Sequence, residues 1–245
     1  MDFQDFTIPA YRKLLKSVKD GWDFVTALDS RKPGRICFWR HDVDFSLERA
    51  YRLAEIETEQ GVVSTYFINL HSRFYNPLES ESSALIHEIL KMGHSIGLHF
   101  DPSFYTVSPD GRWRPNSALE HERNILSTLF CTNVDAFSVH NPGTTDFLRL
   151  DVDELGGMVN VYGPYFKNNF VYCSDSNGFW QDRRLEDVLK LRQHTKLHIL
   201  THPGWWSEFP LSPRERVKQS IETRARRTME LYDQTLRQFG RKNIG

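Results

Sequence analysis

Arg35-Ile36-Cys37-Phe38-Trp39-Arg40-His41-Asp42-Val43-Asp44 is the stretch whose reading decides the fold. It is an apolar, β-like run that ends in two carboxylates spaced i, i+2. Alternate side chains of a strand share a face, so Asp42 and Asp44 project to one side and Val43 to the other. A helix-like stretch follows at once: Ser46 suits an N-cap, Glu48 sits in the first turn, and Ala50, Leu53, Ala54 and Glu57 fall on one face. Two acids at a strand-to-helix junction repel each other unless a metal ion, a basic side chain or a shared proton lies between them. Helix capping by acids is the plainer alternative, and the recurrence of the pattern down the chain tells against it.

Working outward, Tyr11, Leu14, Leu15, Val18, Trp22, Val25 and Leu28 are spaced as an amphipathic lead-in helix from about Pro9 to Leu28, broken before the strand by Ser30-Arg31-Lys32-Pro33-Gly34. After it come strands at Val62–Asn69, His94–Asp101 and Val134–His140, separated by helices from about Ser82 to Met92 and from Ser117 to about Phe130. The pattern then weakens to a short helix around Asp146–Leu155 and strands at Met158–Tyr162 and Phe170–Asp175. A helix near Leu185–Gln193 and a strand Leu197–His202 complete it. Ser212-Pro213-Arg214-Glu215 combines an N-cap, a Pro at N1 and a Glu at N3, opening a long last helix. Its stripe of Val217, Ile221, Ala225, Met229, Tyr232, Leu236 and Phe239 is expected to face a core, with the basic residues between them on a solvated outer face.

About seven strands alternating with helices predict an α/β fold: an incomplete or distorted (β/α) barrel of TIM type, with parallel strands inside and helices outside. No Gly-rich phosphate loop follows any strand, which disfavours a dinucleotide fold. The chain is expected to form one unit, with a lead-in segment 1–34, a barrel core 35–206 and a C-terminal helix 207–245.

In such a barrel the chemistry belongs at the C-terminal strand ends. Those ends carry Asp42 and Asp44, His71, His99 and Asp101, His140, Asp175 and His202. A single histidine there is more often a satisfied hydrogen-bonding residue, but several converging from distant strands reverse those odds. A mixed carboxylate and imidazole set suits zinc or another divalent transition metal better than magnesium or calcium. Three protein ligands with a fourth position open is the catalytic zinc arrangement; a second carboxylate can then take a proton from water while a histidine across the site protonates a leaving group. That is hydrolysis of an amide or ester.

These residues resemble the polysaccharide deacetylases with a NodB-homology domain, of the carbohydrate esterase type, over about Arg35 to Trp206. Asp42-Val43-Asp44 looks like the family's first motif in its D-x-D form, which implies Asp42 as general base and Asp44 as metal ligand. Gly93-His94-Ser95-Ile96-Gly97-Leu98-His99 resembles the second motif and implies His99 as a ligand; the family's next histidine lies four residues on, where this chain has Ser103. His140, in Ser138-Val139-His140-Asn141-Pro142-Gly143, and Asp101 are the available replacements, and His140 is favoured as the softer ligand at a strand end. Ser174-Asp175-Ser176 through Trp180 is similar to the fourth motif, and Ile199 through Trp206 to the fifth, whose histidine, here His202, is the general acid. Asp101, Asp175, Trp180 and Trp205 are expected to line the substrate, with the tryptophans stacking on sugar faces or, more plainly, packing. Arg40, Arg112 and Arg114 are candidates for the phosphate of an activated sugar.

The resemblance implies removal of an acyl group from an amino sugar or sugar intermediate, nucleotide- or lipid-linked, in surface-polysaccharide or O-antigen synthesis. Two other readings stand beside it: a non-catalytic sugar-binding barrel, and a glycosyltransferase in which Asp42 and Asp44 hold manganese and a nucleotide diphosphate. Composition narrows the rest. The 245 residues carry a net charge of −1 and 13% aromatic residues not interleaved with basic runs, which gives no signature of nucleic-acid binding. No apolar stretch approaches the roughly 18 residues needed to span a bilayer. The acidic start Met1-Asp2-Phe3-Gln4-Asp5 is unlike a signal peptide, so a cytoplasmic location is expected. Cys37, Cys131 and Cys173 read as buried thiols with no C-x-x-C pair.

Overall fold

The computed structural model describes residues 3–105, 115–141 and 151–244. Helix α1, Ile8–Lys19, is capped by the Thr7 side chain, which accepts from the Ala10 amide. It stops earlier than the spacing predicts. The Asp23 amide donates to the Arg35 carbonyl and that of Val25 to Cys37, so a two-residue strand β1, Asp23–Phe24, forms where the helix was expected to continue. Trp22 still packs in the same apolar cluster as Leu14, Leu15 and Val18.

The alternation then holds: β2 (Ile36–Val43), α2 (Leu47–Glu59), β3 (Thr65–Ile68), α3 (Ser80–Lys91), β4 (Ser95–Phe100), α4 (Pro115–Phe130) and β5 (Ala136–Val139). Ser117, where this helix was expected to begin, lies inside α4. Of the helix predicted around Asp146–Leu155, residues 146–150 lie outside the described residues, and its end is instead strand β6, Glu154–Leu155. β6 pairs antiparallel with β7, Met158–Asn160. Gly156 and Gly157 both adopt left-handed φ, 62° and 68°, as the tight hairpin between them requires. Then come α5 (Pro164–Asn169), β8 (Val171–Ser174), α6 (Leu185–Leu191), β9 (Lys196–Thr201) and α7 (Pro213–Gln238).

The sheet order is β6-β7-β5-β4-β3-β2-β9-β8, parallel throughout from β7 to β8, with β1 beside the start of β2. It curls into a distorted, incomplete barrel with helices outside: β6 and β8 remain its edges. Phe166 of α5 fills the interior near that opening, 5.3 Å from the Phe38 ring and 5.1 Å from that of His198. The residues of β2 alternate strictly, and all eight are buried. Ile36 and Phe38 join the inner cluster with Phe67, Ala136 and Phe166, while Cys37, Trp39 and Val43 pack outward under the helices. Gly97 of β4 leaves room for the Phe67 ring, which a Cβ there would meet at 2.6 Å. Among the described residues no helix is long and apolar enough to cross a membrane.

His41, on the outer face of β2, enters a buried polar network centred on Glu57 of α2. Its Nε2 donates to Glu57 Oε1 at 2.7 Å, and the Tyr66 hydroxyl donates to Oε2 at 2.7 Å. The Tyr11 hydroxyl of α1 donates to the same carboxylate. Burial pushes the Glu57 carboxyl up, but His41 and the other donors outweigh it and hold the group below the usual carboxylate range. Glu57→Ala should therefore destabilise the protein by about 3–5 kcal/mol, because it strands three donors in a dry interface. Chemical denaturation would read this directly, and a loss under about 1 kcal/mol would mean that the network is not holding α1 and α2 to the sheet.

The last helix begins as its sequence says: Ser212 and Glu215 form a complete capping box. Its faces, however, are turned about. Arg216 is fully buried, Arg224 pairs with Glu79 at 2.8 Å and Arg227 with Glu48 at 2.5 Å, so these three basic residues meet the body of the protein, while Lys218 and Arg226 stay on the solvated side. Of the stripe expected in a core, Ile221, Met229, Tyr232 and Phe239 are 51%, 61%, 54% and 62% exposed.

Candidate active site

The C-terminal ends of β2, β4, β5, β8 and β9 form one rim, as parallel strands around a barrel dictate. Asp42 is in β2 and Asp44 one residue beyond it; His99 is in β4 and Ser138 in β5, with His140 just after; Asp175 follows β8 and His202 follows β9. The register places His99 directly opposite Ser138 across the β4–β5 pair.

Three ligand atoms converge there. His99 Nε2 lies 3.0 Å from His140 Nδ1 and 3.1 Å from Asp44 Oδ1, and His140 Nδ1 lies 3.4 Å from the same oxygen. Asp44 Oδ1 is buried, and neither nitrogen is aligned to donate a hydrogen bond to it. The edge of a zinc tetrahedron with nitrogen and oxygen ligands is about 3.3 Å, so the spacing fits a divalent ion bound by these three groups. The surroundings support this. His99 Nδ1 is 2.7 Å from Ser138 Oγ, which in turn donates to Asp42 Oδ1 at 3.1 Å. With its Nδ1 proton spent on Ser138, His99 presents a lone pair at Nε2, which is how a second hydrogen bond fixes a ligating imidazole. His140 Nε2 is met at 2.9 Å by the Asn141 side-chain nitrogen; for Nδ1 to present its lone pair to an ion, this amide must turn its oxygen to an Nε2 proton.

The charges follow from the geometry. Burial pushes the Asp44 carboxyl up, but the approach of His140 and His99 and the charge of His202 outweigh it and hold it well below the usual range. His140 is pushed up by the close approach of the Asp44 carboxylate against the effect of burial. Asp42 is buried, which raises it, yet Arg40 beside it keeps it an anion below the ordinary carboxylate range; the Arg40 guanidinium donates to Asp42 Oδ1 at 2.5 Å. Burial lowers the His202 imidazolium, but its hydrogen bond to Asp175, together with the charges of Asp175, Asp44 and Asp42, pushes it up to about 9.

Asp175 is wholly buried and has no face left for a substrate. Its Oδ1 takes the His202 ring at 2.6 Å and the His202 amide at 2.9 Å, and Oδ2 accepts from the Trp206 indole at 2.9 Å. It acts on His202. Removing its charge should lower the His202 pKa, since the groups that raise it begin with Asp175. In Asp175→Asn the alkaline fall of kcat/KM should accordingly move to lower pH, and a pH–rate profile unchanged from the parent's would break the link.

Other expected residues lie differently. Asp101 does not join the three ligand atoms: its Oδ1 accepts from the Ser103 amide at 2.9 Å and hydroxyl at 2.6 Å, which closes a tight turn and keeps Ser103 occupied as well. His71 is tied at 3.0 Å to Glu122 of α4 and stacks on Phe104. Trp180 packs on Phe6 and Trp206, and Trp205 edge-on against Phe45, so both are placed as packing residues. Arg40, expected as a phosphate contact, is fully enclosed in the barrel, where it also donates to His198 Nε2 at 2.9 Å; Arg112 and Arg114 lie outside the described residues. Arg40, Ser138 and Trp206 were not anticipated beside the acids. The signal available was spacing: Arg40 precedes Asp42, and Ser138 precedes His140, by two residues on a strand.

No protein-family model matches the chain, and no curated protein does. Among solved structures, it aligns with a family 4 acetyl xylan esterase from Clostridium thermocellum, solved in complex with a cobalt ion. The identity is 12% and the TM-score 0.42, over 77% of this chain and 84% of that one. A family 4 carbohydrate esterase from Bacillus anthracis aligns at 12% identity and a TM-score of 0.35, over 88% of this chain and 86% of that one.

Proposed function

We propose that the protein is a metal-dependent hydrolase that removes an acyl group, such as acetyl, from an amino sugar or sugar intermediate. The convergence of Asp44 Oδ1, His99 Nε2 and His140 Nδ1 beside an ionised Asp42 and a protonated His202 carries this reading. Asp44, His99 and His140 would hold zinc or a similar divalent ion, which when bound polarises an acyl carbonyl and acidifies water. The chain's own groups supply the rest. Asp42 Oδ1 is committed to Arg40 and Ser138, so Oδ2 is the atom that takes the proton of the attacking water. The water oxygen bonds to the acyl carbon, and the C–N or C–O bond breaks. His202, whose Nδ1 faces Asp175, gives its Nε2 proton to the departing amine or alcohol; the products are a carboxylic acid and the deacylated sugar.

The sugar substrate, nucleotide- or lipid-linked and on the way to a surface polysaccharide or O-antigen, rests on the motif resemblance. The test is release of acetate from a panel of N- and O-acetylated sugars by protein loaded with zinc, cobalt or manganese. Turnover that is lost on chelation and restored by metal is the expected result. A fully loaded protein that releases no acyl group across the panel would overturn the hydrolase reading, and saturable sugar binding without turnover would point to a binding barrel instead.

A further inference from the structure

The outward face of α7 bears on assembly. Residues 216, 220, 224, 227 and 231 lie on the side of the helix that meets the body, while Ala225, Met229, Tyr232, Leu236 and Phe239 recur at intervals of four and three on the opposite side. That is a heptad seam, and it faces away from the barrel: Met229, Tyr232 and Phe239 are more than half exposed, while the tail after the helix reaches back to its end and sets Arg241 over the Phe239 ring at 5.5 Å. A stripe of this kind on an otherwise polar helix calls for an apolar partner.

We propose that the partner is a second copy of this chain, docked antiparallel along α7 about a two-fold axis near residues 230 and 231. The flanking charges select that arrangement. With Met229 set against the partner's Tyr232, Leu236 falls opposite the partner's Ala225, and Arg226 comes beside the partner's Asp233. Two-fold symmetry makes that ion pair twice. The other flank brings Thr228 beside the partner's Thr235, which is neutral. A parallel pairing in register would set Arg226 beside the partner's Ile221 and Asp233 beside the partner's Thr228 and form no such pair. Both charged groups are available: Arg226 makes a 4.0 Å contact with Glu230 on its own helix, and Asp233 accepts at Oδ1 from Asn243 at 2.9 Å.

Sedimentation velocity over a micromolar concentration series reads the assembly, together with circular dichroism to confirm folding. The expected result is a concentration-dependent species of twice the 28.8 kDa chain mass that Met229→Glu with Tyr232→Glu abolishes. Arg226→Asp sets like charges together at both of these pairs and should weaken the dimer roughly tenfold or more, and adding Asp233→Arg should restore it. A chain that stays monomeric at hundreds of micromolar overturns the proposal. So does a dimer insensitive to the glutamate substitutions, or one in which the exchanged charges fail to restore association. Binding of the monomer to anionic vesicles through Met229 and Tyr232 would assign the stripe to a membrane surface and likewise overturn it.

Discussion

His99→Ala should leave the protein unable to hold a divalent ion: titration with zinc or cobalt is expected to give about one equivalent in the parent and none in the variant. His99 sits between the other two ligand atoms, 3.0 Å from one and 3.1 Å from the other. Without it Asp44 and His140 are left 3.4 Å apart as a carboxylate and a histidine that neutralise each other, and two ligands do not make a catalytic zinc site. The effect on affinity should exceed the roughly 10–100-fold that loss of a supporting hydrogen bond to a ligand costs. Full metal stoichiometry in the variant would show that the ion, if one binds, sits elsewhere.

Asp42→Asn and His202→Ala are expected to reduce kcat/KM by about 10²–10⁴-fold each while leaving the metal in place. Asp42 must be unprotonated to act, and Arg40 holds it so below the ordinary carboxylate range; activity should thus fall as pH drops through that low pKa, and Asn at 42 should remove this acidic limb. His202 must be protonated, so activity should fall as pH rises past about 9, and Ala at 202 should remove that alkaline limb. Either variant keeping near-parental deacylation would end that residue's assigned role. Metal titration separates loss of chemistry from loss of structure, which matters for Asp42 because its removal leaves the buried Arg40 charge without its counter-ion.

The sequence made the layout of the barrel legible because local physics determines it. Period-two alternation put Asp42 and Asp44 on one face, and N-caps such as Ser46 and Ser212 announced their helices. The convergence of strand ends followed from parallel pairing, which brought Asp44, His99, His140 and His202 together although 158 positions separate the first from the last. What stayed hidden depends on partners brought from afar or on competition between local bonds. Arg40 reads from sequence as a candidate for a substrate phosphate, because nothing within its own strand says that His198 and an aromatic interior enclose it. Asp101, by sequence the alternative to His140 and a residue expected to line the substrate, has its Oδ1 claimed by a turn with Ser103. In α7 the spacing revealed an apolar face but could not say which way the helix would turn it.

Strand β2 has no neutral side. Arg40 and Asp42 serve the rim, and between them His41 serves the Glu57 network on the other face. Among descendants of such a sequence, His41 and Glu57 are not free to drift separately, since losing either partner isolates a polar group in a dry layer; they should be inherited as a pair, or exchanged together for apolar residues. The lineage would then preserve two unrelated constraints, one chemical and one architectural, written into alternate letters of the same short word.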